Sequence, residues 1–128
     1  MATEILVNDG GAPARIIPFT AGSAITAGYA LQMGADAEVD TITGADNVMP
    51  VGVAFTDATS GNVASVITGK GIILNMYCSG TIGRGDGVAT LADGNLGQAS
   101  ASSVAVGTYI DPRGAHSGAA TLQKVLWG

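Results

Sequence analysis

Two apolar, alternating runs joined by a polar turn, VGVAFTDATSGNVASVITG, occupy Val51 to Gly69. A thinner copy, VGTYIDPRGAHSGAATLQKVLW, runs from Val106 to Trp127. A chain of 128 residues is one domain by length, so a unit written twice within it has to build that domain from two like halves. The echo begins upstream of each copy. ITAGYAL (Ile25–Leu31) and IGRGDGV (Ile82–Val88) share an apolar residue, two spacers, Gly, two spacers and an apolar residue. The second is too rich in glycine for a helix, since each interior Gly costs about 1 kcal/mol against Ala. Both read as a turn leading into a strand. A short strand follows, then a polar loop (Gly34–Asn47 and Ala92–Ser103), a Val-Gly strand and a closing strand, Val63–Ile67 in one copy and Thr121–Leu126 in the other. Two copies are fewer than a solenoid needs. They fit an all-β, compact barrel or sandwich of two related halves with little helix, each half covering the other's apolar face.

Segments rich in Val, Ile and Thr and bounded by Gly, Asp and Asn carry the strand signature. The candidates are Glu4–Val7, Arg15–Phe19, Tyr29–Met33, Val51–Thr56, Asn62–Thr68, Ile72–Cys78, Gly87–Leu91, Val104–Asp111 and Ala119–Trp127. Alternation puts Ile72, Leu74, Met76 and Cys78 on one face. It puts Ala64 and Val66 opposite Val63, Ser65 and Ile67. Pro18 belongs at a strand edge or bulge, because it cannot donate to a ladder.

Charge excludes several roles. The net charge is −5, charged residues are 12% of the chain, and the basic residues Arg15, Lys70, Arg84, Arg113 and Lys124 form no patch. Such a chain has little with which to neutralise nucleic-acid phosphates, and an acidic membrane surface repels it. The N-terminus lacks the basic start and apolar run of a signal peptide, and no stretch is long enough to span a bilayer. Cys78 is the single cysteine, so no disulfide forms within the chain. Synthesis in a cytoplasm is the expectation.

Candidate chemistry is thin. His116, the one histidine, lies in a turn-like RGAHSG and reads as a surface-loop residue rather than half of a catalytic pair. Cys78 sits on an apolar face and reads as a buried, inert thiol. DAEVD places Asp36, Glu38 and Asp40 at alternate positions, but Thr41 and Asn47 stand where a calcium loop of the EF type wants Gly and Glu. A solvated acidic loop is the expectation, with no metal. Arg84-Gly85-Asp86 spells an adhesion tripeptide whose glycine the repeated turn already explains. No catalytic residue and no cofactor is expected.

The residues AGYALQMG, PVGVAFTDATSGNVASVITGKGI, TIGRGDGVATLADGN and VAVGTYIDP together resemble the small head decoration, or capsid cement, proteins of tailed bacteriophages. The resemblance covers roughly Phe19 to Trp127. It implies a mainly β domain that assembles as a homotrimer on the outside of the head, at or near local three-fold positions. There it clamps subunits of the major capsid protein, and an N-terminal arm makes part of the contact. The first copy departs from the pattern, with Gly28-Tyr29-Ala30 where Gly85-Asp86 stands in the second.

The expected organisation is therefore an N-terminal arm or edge strand over residues 1–18 and a β domain over residues 19–128, its repeat spanning about 25–68 and 82–126. Thr3, Glu4, Ile5, Leu6 and Val7 are β-prone, precede the glycine-rich NDGGAPA, and are the expected capsid-binding segment, by strand addition to a neighbour. Trp127 and Tyr109 are the expected subunit-interface residues, since a lone Trp at a chain end is often an anchor. The expected function is structural, on the virion's outer surface. The rivals are a carbohydrate- or receptor-binding module, which wants clustered exposed aromatics, and a small hydrolase, which wants His116 and the carboxylates near Asp36 in one pocket.

Overall fold

The computed structural model describes residues 5–8, 15–43 and 49–128. Eleven strands are formed among them: β1 (Leu6–Asn8), β2 (Arg15–Ala21), β3 (Ala30–Met33), β4 (Glu38–Thr41), β5 (Gly52–Ala54), β6 (Val63–Thr68), β7 (Ile72–Cys78), β8 (Gly87–Thr90), β9 (Leu96–Gln98), β10 (Gly107–Tyr109) and β11 (Thr121–Trp127). The one helical element among the described residues is a 3-10 turn at Ala35–Ala37. The protein is all-β, as its periodicity requires.

Strands β2, β4, β3, β5 and β6 close into a barrel in that order. A second sheet runs β1-β7-β11-β10-β8-β9, and an added pairing of β7 with β9 brings its far end back to β7. The two sets of five strands pair alike. β2 lies antiparallel to β6 and parallel to β4, as β7 lies to β11 and β9. The tie lines outside the ladders match as well. Gly28 N donates to Ala54 O as Gly85 N donates to Tyr109 O, and Val51 N to Leu31 O as Val106 N to Val88 O. Gly28 and Gly85 carry φ of +89° and +87°, a region open to Gly at little cost.

Two strands lie inside what sequence reads as polar loops. β4 falls in the acidic segment expected to be a solvated loop, and β9 in the Ala92–Ser103 loop. Each is held by its neighbours rather than by its own pattern, and each sends one apolar residue, Val39 or Leu96, fully into a core.

The cores differ in size. The closed barrel is filled by small side chains: Ala21, Ala54 and Ala64 with Ile25, Leu31, Val39 and Val66. Its outer face, through Ala30, Ile42, Val53 and Ile67, packs onto the larger core of the second sheet, with Ile72, Leu74, Met76, Val125 and Trp127. One half therefore uses the other's exterior as its lid.

The halves also differ at one edge. Asn75 N donates to Ile5 O, and Leu6 lies opposite Leu74, so β7 accepts β1 along that edge. Ala21 faces Val39 in β4 as Cys78 faces Leu96 in β9. Three residues earlier, Pro18 therefore stands where Asn75 stands. Pro has no N–H to offer, so the matching edge of β2 cannot take a strand in that register. Ile16 and Ile17 are exposed beside it. Pro18→Val restores the donor next to two exposed isoleucines. The expected result is concentration-dependent association beyond the native state, read by light scattering, with thermal stability changed little. An unchanged mass means that Pro18 does not guard this edge.

Candidate functional site

The segments that lead into the two Val-Gly strands meet in space. Met49, Pro50 and Val51 of one half and Ala105 and Val106 of the other line an apolar groove of about 260 Å³, with Trp127 at its base. Lys70 is the one charged side chain in the lining. Met49 in the groove wall and Val104, next in sequence to the wall residue Ala105, are 66% and 47% exposed, whereas Trp127 is 6% exposed. Those two exposed side chains stand at matching positions of the repeat. The exposed large apolar side chains among the described residues are all aliphatic.

The second site is polar and lies inside the second sheet. Tyr109, Gln123 and His116 take the positions held in the first half by Ala54, Ala64 and Ala58. The matching ties are Gly85 N to Tyr109 O and Gly28 N to Ala54 O, and Ile82 paired with His116 as Ile25 is with Ala58. Tyr109 Oη lies 2.7 Å from Gly114 O and 2.8 Å from Gln123 Oε1. Gln123 Nε2 donates to Thr121 Oγ1 at 2.9 Å. His116 joins Thr121 Oγ1 and Gly80 O through its two ring nitrogens, at 2.9 and 2.8 Å. Beside this chain the fully buried Asp111 carboxylate accepts from Arg113 N, Arg113 Nε, Arg113 Nη2 and Lys124 N at 2.8–2.9 Å. The Arg113 guanidinium holds that carboxyl far below the usual carboxylate range, and its own burial works in the opposite direction.

The expected site residues fall as follows. Thr3 and Glu4 lie outside the described residues. Ile5 is buried at 2% exposure in the larger core, and Leu6 and Val7 are half-buried in β1. Leu6–Asn8 pair with β7, and Ile5 packs into a core of its own chain. Tyr109 is corrected from interface to interior: it is fully buried with its hydroxyl bonded, so its ring is not offered to a neighbour. Trp127 is a core residue whose edge forms the groove base. His116 is corrected too. It is buried, not a surface-loop residue, because its two ring nitrogens bond across from the 111–120 loop to Gly80 and β11. Burial pushes the Cys78 thiol up to about 12, which leaves it unreactive.

The other motifs are used locally. Asp86 Oδ2 accepts from Gly83 N and Gln98 Nε2, so the adhesion-like tripeptide spends its carboxylate on its own turn. Among the described residues no three His, Cys, Asp or Glu side chains gather as a metal site would need. Sequence reasoning missed the polar network. Its one signal was Gln123, a polar residue on the face that Val125 and Trp127 share.

No known protein family matches the sequence, and no curated protein does. Among solved structures, the N base of the head fiber gp8.5 in bacteriophage phi29 matches with a TM-score of 0.69. The match covers 91% of this chain and 95% of that one, at 20% identity. The polypeptide described here therefore has the fold of a phage head-fiber base.

Proposed function

We propose that this chain is a structural protein of a tailed-phage head, binding the outer face of the capsid as a homotrimer at local three-fold positions and stabilising the shell. The observation that carries this is a fold shared along nearly the whole chain with a head-fiber base. Surface physics supports it. An acidic chain with few charges leaves Met49, Val104 and the groove beside them uncovered, and a second copy of the chain covers them in the trimer. The low charge limits repulsion between copies. The N-terminal segment contributes to capsid binding through β1. Among the described residues one edge of β1 has no strand partner, and a strand of the major capsid protein adds there. Three such contacts per trimer turn weak binding into a slow-leaving clamp. The protein is made in the host cytoplasm, acts on the virion, and catalyses no reaction.

The test has two arms. Mass in solution reads the trimer, and co-sedimentation with expanded heads lacking the protein reads capsid binding. The wild type should weigh three chains and pellet with the heads. Met49→Asp with Val104→Asp should weigh one chain and pellet at least ten times less, since losing two of three linked contacts removes most of the avidity. A wild type that stays monomeric and remains in the supernatant overturns the proposal.

A further inference from the structure

Five contacts of hydrogen-bond length run in one line through the end of the second sheet. They link Gly80 O, His116, Thr121, Gln123, Tyr109 and Gly114 O in that order. The two ends are carbonyls and only accept. Each contact needs one proton. The Tyr109 and Thr121 hydroxyls supply one each, the Gln123 amide supplies one along this line, and a neutral imidazole supplies one. Four protons therefore serve five contacts.

The shortage can sit at either end. With the Gln123 amide as observed, Thr121 donates to His116 Nε2, and the single Tyr109 proton faces both Gln123 Oε1 and Gly114 O. With the amide turned over, Tyr109 donates cleanly to Gly114 O and Thr121 to Gln123 Oε1. His116 then has to donate at both ring nitrogens, and a neutral ring cannot. We propose that His116 is a proton-binding site coupled to the orientation of the Gln123 amide, so that uptake of the fifth proton reverses the line of hydrogen bonds from His116 to Gly114.

The step is a plain acid–base transfer. A hydronium ion gives its proton to the Nε2 lone pair that accepts from Thr121 in the neutral state, the Thr121 hydroxyl turns to Gln123, and nothing is oxidised or reduced. The proton has a route, because His116, Thr121 and Gln123 line a shallow polar pocket with Arg113 and Ser117. The charged groups acting on Tyr109 are Asp111, Arg113 and Arg84, together with the Cys78 thiol, and Arg113 shares the pocket lining with His116. Burial raises both Tyr109 and Cys78, so neither loses its proton at neutral or acidic pH. The fold does not require the network, since the first half closes the same strands around Ala54, Ala58 and Ala64. Reversal changes what ties the 111–120 loop down: only the charged state gives Gly114 O an undivided donor.

The inference stands apart from the head-protein proposal, and nitrogen NMR of the full chain from pH 8 to pH 5 tests it. The Gln123 side-chain amide and the Tyr109 ring should shift with the same midpoint as the His116 ring nitrogens. In Thr121→Val, which keeps the strand propensity and removes the relay hydroxyl, His116 should still titrate while Gln123 and Tyr109 stay still. The idea fails if His116 does not titrate in that range, if it titrates with Gln123 unmoved, or if the valine variant keeps the coupling. Should the variant not fold, the wild-type titration alone decides.

Discussion

Asp111→Ala lowers stability by about 3 kcal/mol and the thermal midpoint by roughly 10 °C. The carboxylate is fully buried, whereas its partner Arg113 is 67% exposed. A pair so open on one side contributes little as an ion pair. The larger cost is two backbone N–H groups, of Arg113 and Lys124, left without an acceptor, at about 1–3 kcal/mol each where water cannot replace it. Lys124 lies in β11, and its carbonyl receives Ile110 N, so the loss loosens the β10–β11 corner as a unit.

The same group sets a dependence on acid. Its folded-state pKa is depressed, chiefly by the Arg113 hydrogen bond, so its contribution is fully present above the unfolded value of about 4. That contribution falls away as the pH drops below this point. Asp111→Asn keeps the shape without the charge, so its stability should fall less steeply below pH 4 than the wild type's. Urea unfolding at pH 7 and pH 3 for the three proteins reads both effects. Equal midpoints at pH 7 for wild type and Asp111→Ala would sink the account.

Much of the fold was legible because its strongest strands obey the period of two without help. In β7 the buried residues are Ile72, Leu74, Met76 and Cys78, the set that alternation assigns to one face. In β6 Ala64 and Val66 fill one core and Ile67 the other, so both faces of that strand are used. β4 and β9 were not legible. A strand that buries one side chain between Glu38 and Asp40, or beside Gly97, has no period to detect, and its neighbours on both sides, antiparallel β3 or β8 above all, hold it in place. The polar network was hidden for a related reason. His116 sits in turn chemistry, and burial of a turn residue depends on which strand lies behind it. Tyr109 is in the same position: an aromatic residue in a three-residue strand reads equally well as core or interface.

Of the two Val-Gly glycines, Gly52→Ala should be the more damaging and Gly107→Ala the less, and both should cost more than a glycine that meets open space. Both glycines belong to the Val-Gly pair that recurs in the two halves, and each packs its α-carbon against the backbone of the closing strand. A Cβ on Gly52 would lie 2.3 Å from Ile67 O, and one on Gly107 would lie 2.7 Å from Leu126 O. A carbonyl oxygen cannot turn aside as a side chain can, because it belongs to the strand backbone. The strands have to separate instead, in a barrel whose five members leave no slack. Overpacking of this kind costs about 1–3 kcal/mol, and the closer contact at Gly52 puts it at or beyond the upper end. Gly61→Ala is the useful contrast. It meets open space but keeps a φ of +84°, so it should cost about 1 kcal/mol from backbone strain alone. Denaturant midpoints should rank Gly61→Ala highest, then Gly107→Ala, then Gly52→Ala. If Gly61→Ala proves the worst of the three, close strand approach is not what the repeated Val-Gly secures, and turn conformation has to explain it instead.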